Sequence, residues 1–197
     1  MTFKTIKSLI LSNLILINKL VNKGIINEED KDLYKYSFNI LKGYIFFAII
    51  VILGNLFTKN FKETSLFLLV FFSLRRHCGG FHFDNKITCM IFSIILTLLI
   101  PIIINHIFLT HLQIILLQLL ISMILMIFPI IEIPQKSLTT IEKIQYKITS
   151  IKFLLLLLFV NCICFIHSFY KISAVLLFSL LVTFLSVLVG YFKYMCI

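Results

Sequence analysis

Charge is what this chain has least of. Only 13% of its 197 residues are charged, whereas 60% are hydrophobic and the mean hydropathy is +1.09. Soluble domains are about 25% charged and about 45–50% apolar, so any soluble portion is small and the chain reads as an integral membrane protein. Its net charge of +10 does not point to nucleic acid. There is no basic fold module and no basic face interleaved with stacking aromatics. The basic residues fall between hydrophobic runs, where they set topology and meet anionic lipid. Cysteine is sparse and odd in number: Cys78, Cys89, Cys162, Cys164 and Cys196. With no soluble ectodomain, that argues against a disulfide framework. Proline is scarcer still, and Pro101, Pro129 and Pro134 lie close to the ends of apolar runs, where they punctuate helices at little cost. Neither an inverted repeat nor a low-complexity linker is found.

What is present is a series of apolar runs. Residues 1–23 alternate Lys4, Lys7, Lys19 and Lys23 with Phe3, Ile6, Leu9, Ile10, Leu14, Ile17, Leu20 and Val21 at steps of three and four. This spacing predicts an amphipathic helix lying in the membrane interface. Leu9–Ile17 has the length of a secretory h-region, but no small-x-small site follows and Asn13 interrupts it, so the interfacial helix is the expectation. Gly24 is a natural end for that helix. Asn27 suits the cap of a second helix, with Glu28, Glu29 and Asp30 in its first turn. That helix carries Leu33, Tyr34, Phe38 and Leu41 into the first crossing.

Apolar runs at 43–58, 64–74, 87–104, 112–131, 151–170 and 172–192 predict an all-α membrane protein of about six transmembrane helices. The second run has only eleven residues. It is expected as a short full crossing, with Phe61–Glu63, Arg75 and Arg76 reaching the interfaces. A half-helix buried against its neighbours is the alternative. The organisation is then a cytoplasmic amphipathic segment at 1–42 and a membrane domain at 43–197. With the N-terminus inside, 15 of the 18 Lys and Arg residues fall on the inner side, leaving Lys59, Lys62 and Lys171 outside. The positive-inside rule therefore places both termini, Arg75–Lys86 and a loop at 132–152 in the cytoplasm. The weight of Ile, Phe, Lys and Asn is that of an AT-rich bacterial genome.

Between the second and third runs lies Ser73–Cys89, S-L-R-R-H-C-G-G-F-H-F-D-N-K-I-T-C. Such a knot of polar groups among hydrocarbon is a functional-site candidate. Its two histidines and two cysteines suit a cysteine peptidase. A free thiol has a pKa of about 8.5, and a histidine that takes its proton raises the thiolate fraction and later protonates the leaving amine. Four pairings exist. His77 and Cys78 are adjacent, which makes a productive approach awkward. Cys78 and His82 are four apart, but Gly79-Gly80 between them makes a regular helix unfavourable. His82 and Cys89 are seven apart; on an unbroken helix they would lie about 10.5 Å apart. A turn at Phe83–Lys86 would bring them together. Chemistry ranks His82–Cys89 first and Cys78–His82 next.

Arg75, Gly79, Gly80, His82 and Cys89, reading R-x-x-x-G-G-x-H-x₆-C, resemble the signature of the AgrB family, the accessory gene regulator membrane peptidases of Gram-positive bacteria. Lys23–Tyr36 resembles that family's N-terminal segment, and the 132–152 stretch resembles the loop after its fourth crossing. One departure is Gln135-Lys136-Ser137, where the family often has Asn-Lys-Pro. The resemblance covers nearly the whole chain. It implies a thiol endopeptidase of bacterial quorum sensing, with His82 as general base and Cys89 as nucleophile and no cofactor. Its partner would be an AgrD-like precursor of an autoinducing peptide. Cys89 would release the precursor's C-terminal tail and hold the remainder as a thioester, which a precursor cysteine or serine would take to close a thiolactone or lactone.

Other residues carry alternative readings. Gly79 and Gly80 either aim backbone N–H groups at an oxyanion or form a plain turn. Arg75 and Arg76 either hold an acidic tail and favour the thiolate, or anchor topology. Asp84 either orients His82 or is a solvated loop carboxylate. His77, Cys78, His82 and Cys89 lack the two spaced pairs of a structural zinc site, so no metal is expected. Cys162 and Cys164 read as packing residues, Cys196 as a tail residue, and His106, His111 and His167 as interfacial. Glu132 and Glu142 are candidate precursor contacts. A small multi-spanning transporter is the competing function, but it would want ionisable residues inside several crossings. A homodimer, with His82 of one copy meeting Cys89 of another, is compatible with the spacing.

Overall fold

The computed structural model describes residues 17–21, 23–81, 83, 85–106, 109–128 and 139–195. The interfacial helix expected over 1–23 lies outside these except for a helical stretch at 17–21. That stretch ends as its glycine predicts. Gly24 takes φ +67°, its N–H donates to Val21 O (2.8 Å), and the Ile25 N–H donates to Leu20 O (3.1 Å). This paired closure satisfies the last carbonyls of the helix.

Six long helices follow: α1 (Lys31–Thr58), α2 (Phe61–Cys78), α3 (Lys86–Ile104), α4 (His111–Ile127), α5 (Thr140–Ile166) and α6 (Tyr170–Met195). Among the described residues there is no strand. The all-α membrane architecture is thus as expected. Helix α1 starts later than Asn27 and the acidic triplet predict. Glu28–Asp30 form a 3-10 turn, and the Asn27 side chain makes no capping bond. From Lys31 the helix runs unbroken into the first apolar run. The division between two compact units, Met1–Ile50 and Val51–Ile197, falls within it.

Among the described residues, four helices are long and apolar enough to cross a membrane: Glu28–Thr58 including its 3-10 turn, Ile87–Ile104, Thr140–Ile166 and Tyr170–Lys193. Helix α4 is a shorter apolar helix. Helix α2 is a continuous helix of 18 residues, about 27 Å long, with Lys62, Glu63, Arg75 and Arg76 at its ends. It buries Thr64, Phe67, Val70, Phe71, Leu74 and Cys78, one continuous face at steps of three and four.

Within the larger unit α6 is the central element, packed against α2, α3, α4 and α5. It contributes Ala174, Val175, Leu176, Leu177, Leu180 and Val187 to a core shared with Phe67 and Leu74 of α2, Ile114 and Leu125 of α4, and Leu154 of α5. Ser173, Ser179 and Thr183 are fully buried beside them. Small hydroxyl residues let membrane helices approach closely, and Ser179 and Thr183 satisfy themselves on Val175 O and Ser179 O.

One sequence expectation is corrected. The stretch at 132–152 is not all loop, because α5 begins at Thr140. Thr139 and Glu142 form a capping box: the Glu142 N–H donates to Thr139 Oγ1 (3.3 Å) and the Thr139 N–H to Glu142 Oε2 (2.9 Å). Glu142, a candidate precursor contact, therefore caps a helix; Glu132 lies outside the described residues. Pro101 sits inside α3, three residues before its end and close to the end of its apolar run, as the sequence places it. Pro129 and Pro134 fall outside the described residues.

A buried amide pair ties α4 to α5. Asn161 Nδ2 donates to Gln118 Oε1, and Gln118 Nε2 donates to Leu157 O (3.2 Å). Such bonds between membrane helices contribute about 0.6 and at most about 1.7 kcal/mol. Gln118→Leu is expected to destabilise the protein by about 1–2 kcal/mol, since it also strands the Asn161 amide. In a double-mutant cycle with Asn161→Leu, read by unfolding in bicelles, the second substitution should cost less than it does alone. Strict additivity would show that the pair is not coupled.

Candidate functional site

The polar stretch lies where α2 ends and α3 begins, and glycine makes the exit possible. The Gly79 N–H donates to Arg75 O (3.2 Å), and Gly79 and Gly80 take φ +72° and +134°. Both values favour glycine over any residue with a side chain. Gly80 is also pressed against α6: a Cβ added there would lie 2.6 Å from Ser186 Oγ and 3.4 Å from the Ser186 carbonyl carbon.

Phe81 is then held from both sides. Its N–H donates to Ser186 O of α6 (2.8 Å), and its carbonyl accepts from Arg75 Nη2 of α2 (2.7 Å). Its ring lies edge-on to Phe83 (4.8 Å), which in turn meets Phe92 of α3 (5.3 Å). The Lys193 ammonium of α6 stands 5.0 Å from the Phe81 ring centre. His82 and Asp84 lie outside the described residues.

The turn expected over Phe83–Lys86 includes Asp84 and so lies partly outside the described residues. Asn85 is extended and its side chain accepts from the Ile87 N–H (2.9 Å), which caps α3. Lys86 is the first residue of that helix and Cys89 falls in its first turn, its N–H donating to Asn85 O (3.1 Å). A helix N-terminus carries a partial positive charge.

The Arg75 guanidinium lies within hydrogen-bonding reach of the Cys89 sulfur and 5.6 Å from the Phe71 ring centre. One arginine of α2 thus touches both the carbonyl of Phe81 and the thiol of α3. Arg76, its neighbour in sequence, is exposed.

The two cysteines of the stretch differ sharply. Cys89 is half-buried, whereas Cys78 is only 7% exposed. The Cys78 thiol hydrogen-bonds the Ser150 hydroxyl of α5 and lies near the Lys147 ammonium. Lys147 is itself held by Phe128 O and Leu125 O (3.5 Å) at the end of α4. Cys78 is therefore a packing residue where α2, α4 and α5 meet. His77 sets its ring against Tyr146 at 6.0 Å.

Elsewhere Cys164 is buried and Cys162 exposed on α5, and Cys196 lies outside the described residues. His106, His111 and His167 sit at the opposite ends of these helices, the His111 ring against Phe165 (5.9 Å) and Tyr170 (5.4 Å). Among the described residues no three His, Cys, Asp or Glu side chains gather as a metal ion needs. Ser186 and Lys193 are the site neighbours that sequence reasoning missed. They stand about a hundred residues downstream, Ser186 within an apolar run and Lys193 just past its end, where no local pattern ties them to the polar stretch.

Taken together, these features define an all-helical membrane protein that presents a half-buried thiol at a helix N-terminus, beside a guanidinium and a glycine turn. The chain belongs to the AgrB family: the family model, accessory gene regulator B, matches residues 14–189. It is therefore a membrane protein of the accessory gene regulator quorum-sensing system, from a family that processes a precursor peptide. No curated protein and no solved structure matches it.

Proposed function

We propose that this protein is a membrane-embedded cysteine endopeptidase that removes the C-terminal tail of an AgrD-like precursor and promotes ring closure. The observation that carries this reading is the position of Cys89, half-buried in the first turn of α3 within reach of Arg75, while Cys78 is enclosed by Ser150 and Lys147.

His82 takes the Cys89 proton, and the thiolate attacks the carbonyl at the cleavage site. The tetrahedral oxyanion needs donors that are already in place. The Gly79 N–H is engaged by Arg75 O and the Phe81 N–H by Ser186 O, so we assign the role to the Gly80 N–H and the Arg75 guanidinium. Collapse expels the tail's amine, which takes its proton from His82, and leaves an acyl-Cys89 thioester. A precursor thiol then attacks that carbonyl, Cys89 leaves as thiolate, and a thiolactone forms; a serine would give a lactone. Exchange of one thioester for another is nearly isoenergetic, so the intermediate conserves the bond energy that hydrolysis would lose. Apolar surroundings such as Phe71, Phe81, Phe83 and Phe92 disfavour attack by water. The excess of Lys and Arg around this stretch supports a cytoplasmic site, where a newly made precursor arrives.

The test is to express the protein with the short peptide encoded beside its gene and trap the intermediate in acid. A hydroxylamine-labile adduct of the precursor's N-terminal portion should map to Cys89. An adduct on Cys78, or ring formation with no adduct at any cysteine, would overturn the assignment.

A further inference from the structure

The established features of the site leave α6 without a role, yet α6 is the element on which the glycine turn rests. Three contacts join them. The Phe81 N–H is bonded to the Ser186 carbonyl, Gly80 lies against Ser186 too closely for a Cβ, and Lys193 stands over the Phe81 ring. Lys193 is seven residues beyond Ser186, two helical turns along the same face. Ser186 O is a helix carbonyl, and its second lone pair can accept an outside donor without loss of the intrahelical bond. The anchor is therefore rigid backbone rather than a rotatable side chain. Phe81 is also the residue directly before His82, and its carbonyl belongs to the peptide group that supplies the His82 nitrogen. With Arg75 on its carbonyl and Ser186 on its N–H, Phe81 is held between α2 and α6.

We propose that α6 is part of the reaction machinery, with Ser186 as a positioning residue that acts through Phe81 to set His82 against Cys89, and Lys193 as its second brace. This rests on the thiol-peptidase reading above. The side chain of Ser186 matters by its smallness and its backbone by its oxygen. Bulk at 186 lifts Gly80 and Phe81 from the helix, while loss of the hydroxyl alone leaves the carbonyl and the fit intact. Misplacing a catalytic group by about 1 Å can cost about 100-fold in rate.

The experiment uses the full chain in nanodiscs, with Cys78, Cys162, Cys164 and Cys196 changed to alanine so that Cys89 is the only thiol. Processing of a synthetic precursor is measured as kcat and KM, and Cys89 alkylation by iodoacetamide is followed against pH. Ser186→Leu is expected to lower kcat about 100-fold with KM little changed. The alkylation profile should depart from the parental one, while Ser186→Ala keeps the parental profile and rate. Lys193→Met, which leaves the core untouched, should move the profile the same way by a smaller amount, and it decides the matter if Ser186→Leu fails to fold. A folded Ser186→Leu protein, or Lys193→Met in its stead, with unchanged kcat and an unchanged profile overturns the positioning role. Cys89→Ala is run in parallel: if it still processes the precursor, the peptidase reading itself fails, whatever residue 186 does.

Discussion

Cys89→Ala is expected to abolish release of the precursor tail, a loss of at least about 10⁴-fold in turnover, because removing a covalent nucleophile leaves only binding and oxyanion stabilisation. Cys78→Ala is expected to leave turnover near wild type. The two residues are eleven apart in the same polar stretch and differ in surroundings rather than chemistry. Cys89 lies in the first turn of a helix, with a guanidinium within reach of its sulfur. Cys78 ends a helix, on the side where carbonyl oxygens accumulate, and meets a serine hydroxyl of α5. Truncating Cys78 removes a buried sulfur from the junction of α2, α4 and α5, so its cost should appear in stability, about 1–2 kcal/mol. Quantifying released tail peptide from proteoliposomes, together with unfolding of both variants, separates the effects. A Cys78→Ala protein that is folded but inactive would reverse the assignment.

Much of this was readable in the chain before folding. A long apolar run crosses a membrane because unpaired backbone polar groups cannot face lipid, so composition alone defines the class. Gly24 and the Gly79-Gly80 pair were legible for a local reason: each stands where φ must be positive. Helix α5 was partly misread. Lys143, Lys147 and Lys152 suggest a loop when counted as charges, but Thr139 and Glu142 already spell a capping box, and Lys147 turns inward to close the end of α4. Here the local pattern was present and the topology count outweighed it. The roles of Ser150 and Ser186 were not legible at all. Each depends on which helix lies across from it, and a serine within an apolar run gives no sign of its neighbour. The two cysteines could be ranked by spacing, but the enclosure of Cys78 by Ser150 and Lys147 was not visible in the sequence.

Arg75 carries the second large effect. Arg75→Met is expected to lower processing by about 10²–10³-fold, the range measured when a preorganised oxyanion donor is lost. The reason is that this one side chain does two jobs a point charge cannot share. Its Nη2 donates to Phe81 O at 2.7 Å, and the guanidinium also reaches the Cys89 sulfur. A planar fork can span two acceptors in fixed geometry, whereas an ammonium is a single point on a flexible stem. Arg75→Lys should therefore recover only part of the loss, despite preserving charge. If the arginine served only to anchor topology, Lys would restore full activity, since both cations serve the positive-inside rule equally. Arg76 supplies the internal control, being exposed at the next position, and Arg76→Met should change turnover by less than about threefold. The thiol itself gives a second readout. Because the guanidinium lies within reach of the sulfur, Cys89 alkylation in Arg75→Met should differ from that of the parent protein, and unchanged alkylation would detach Arg75 from the thiol. Full recovery of tail release by Arg75→Lys would assign it to the membrane surface instead.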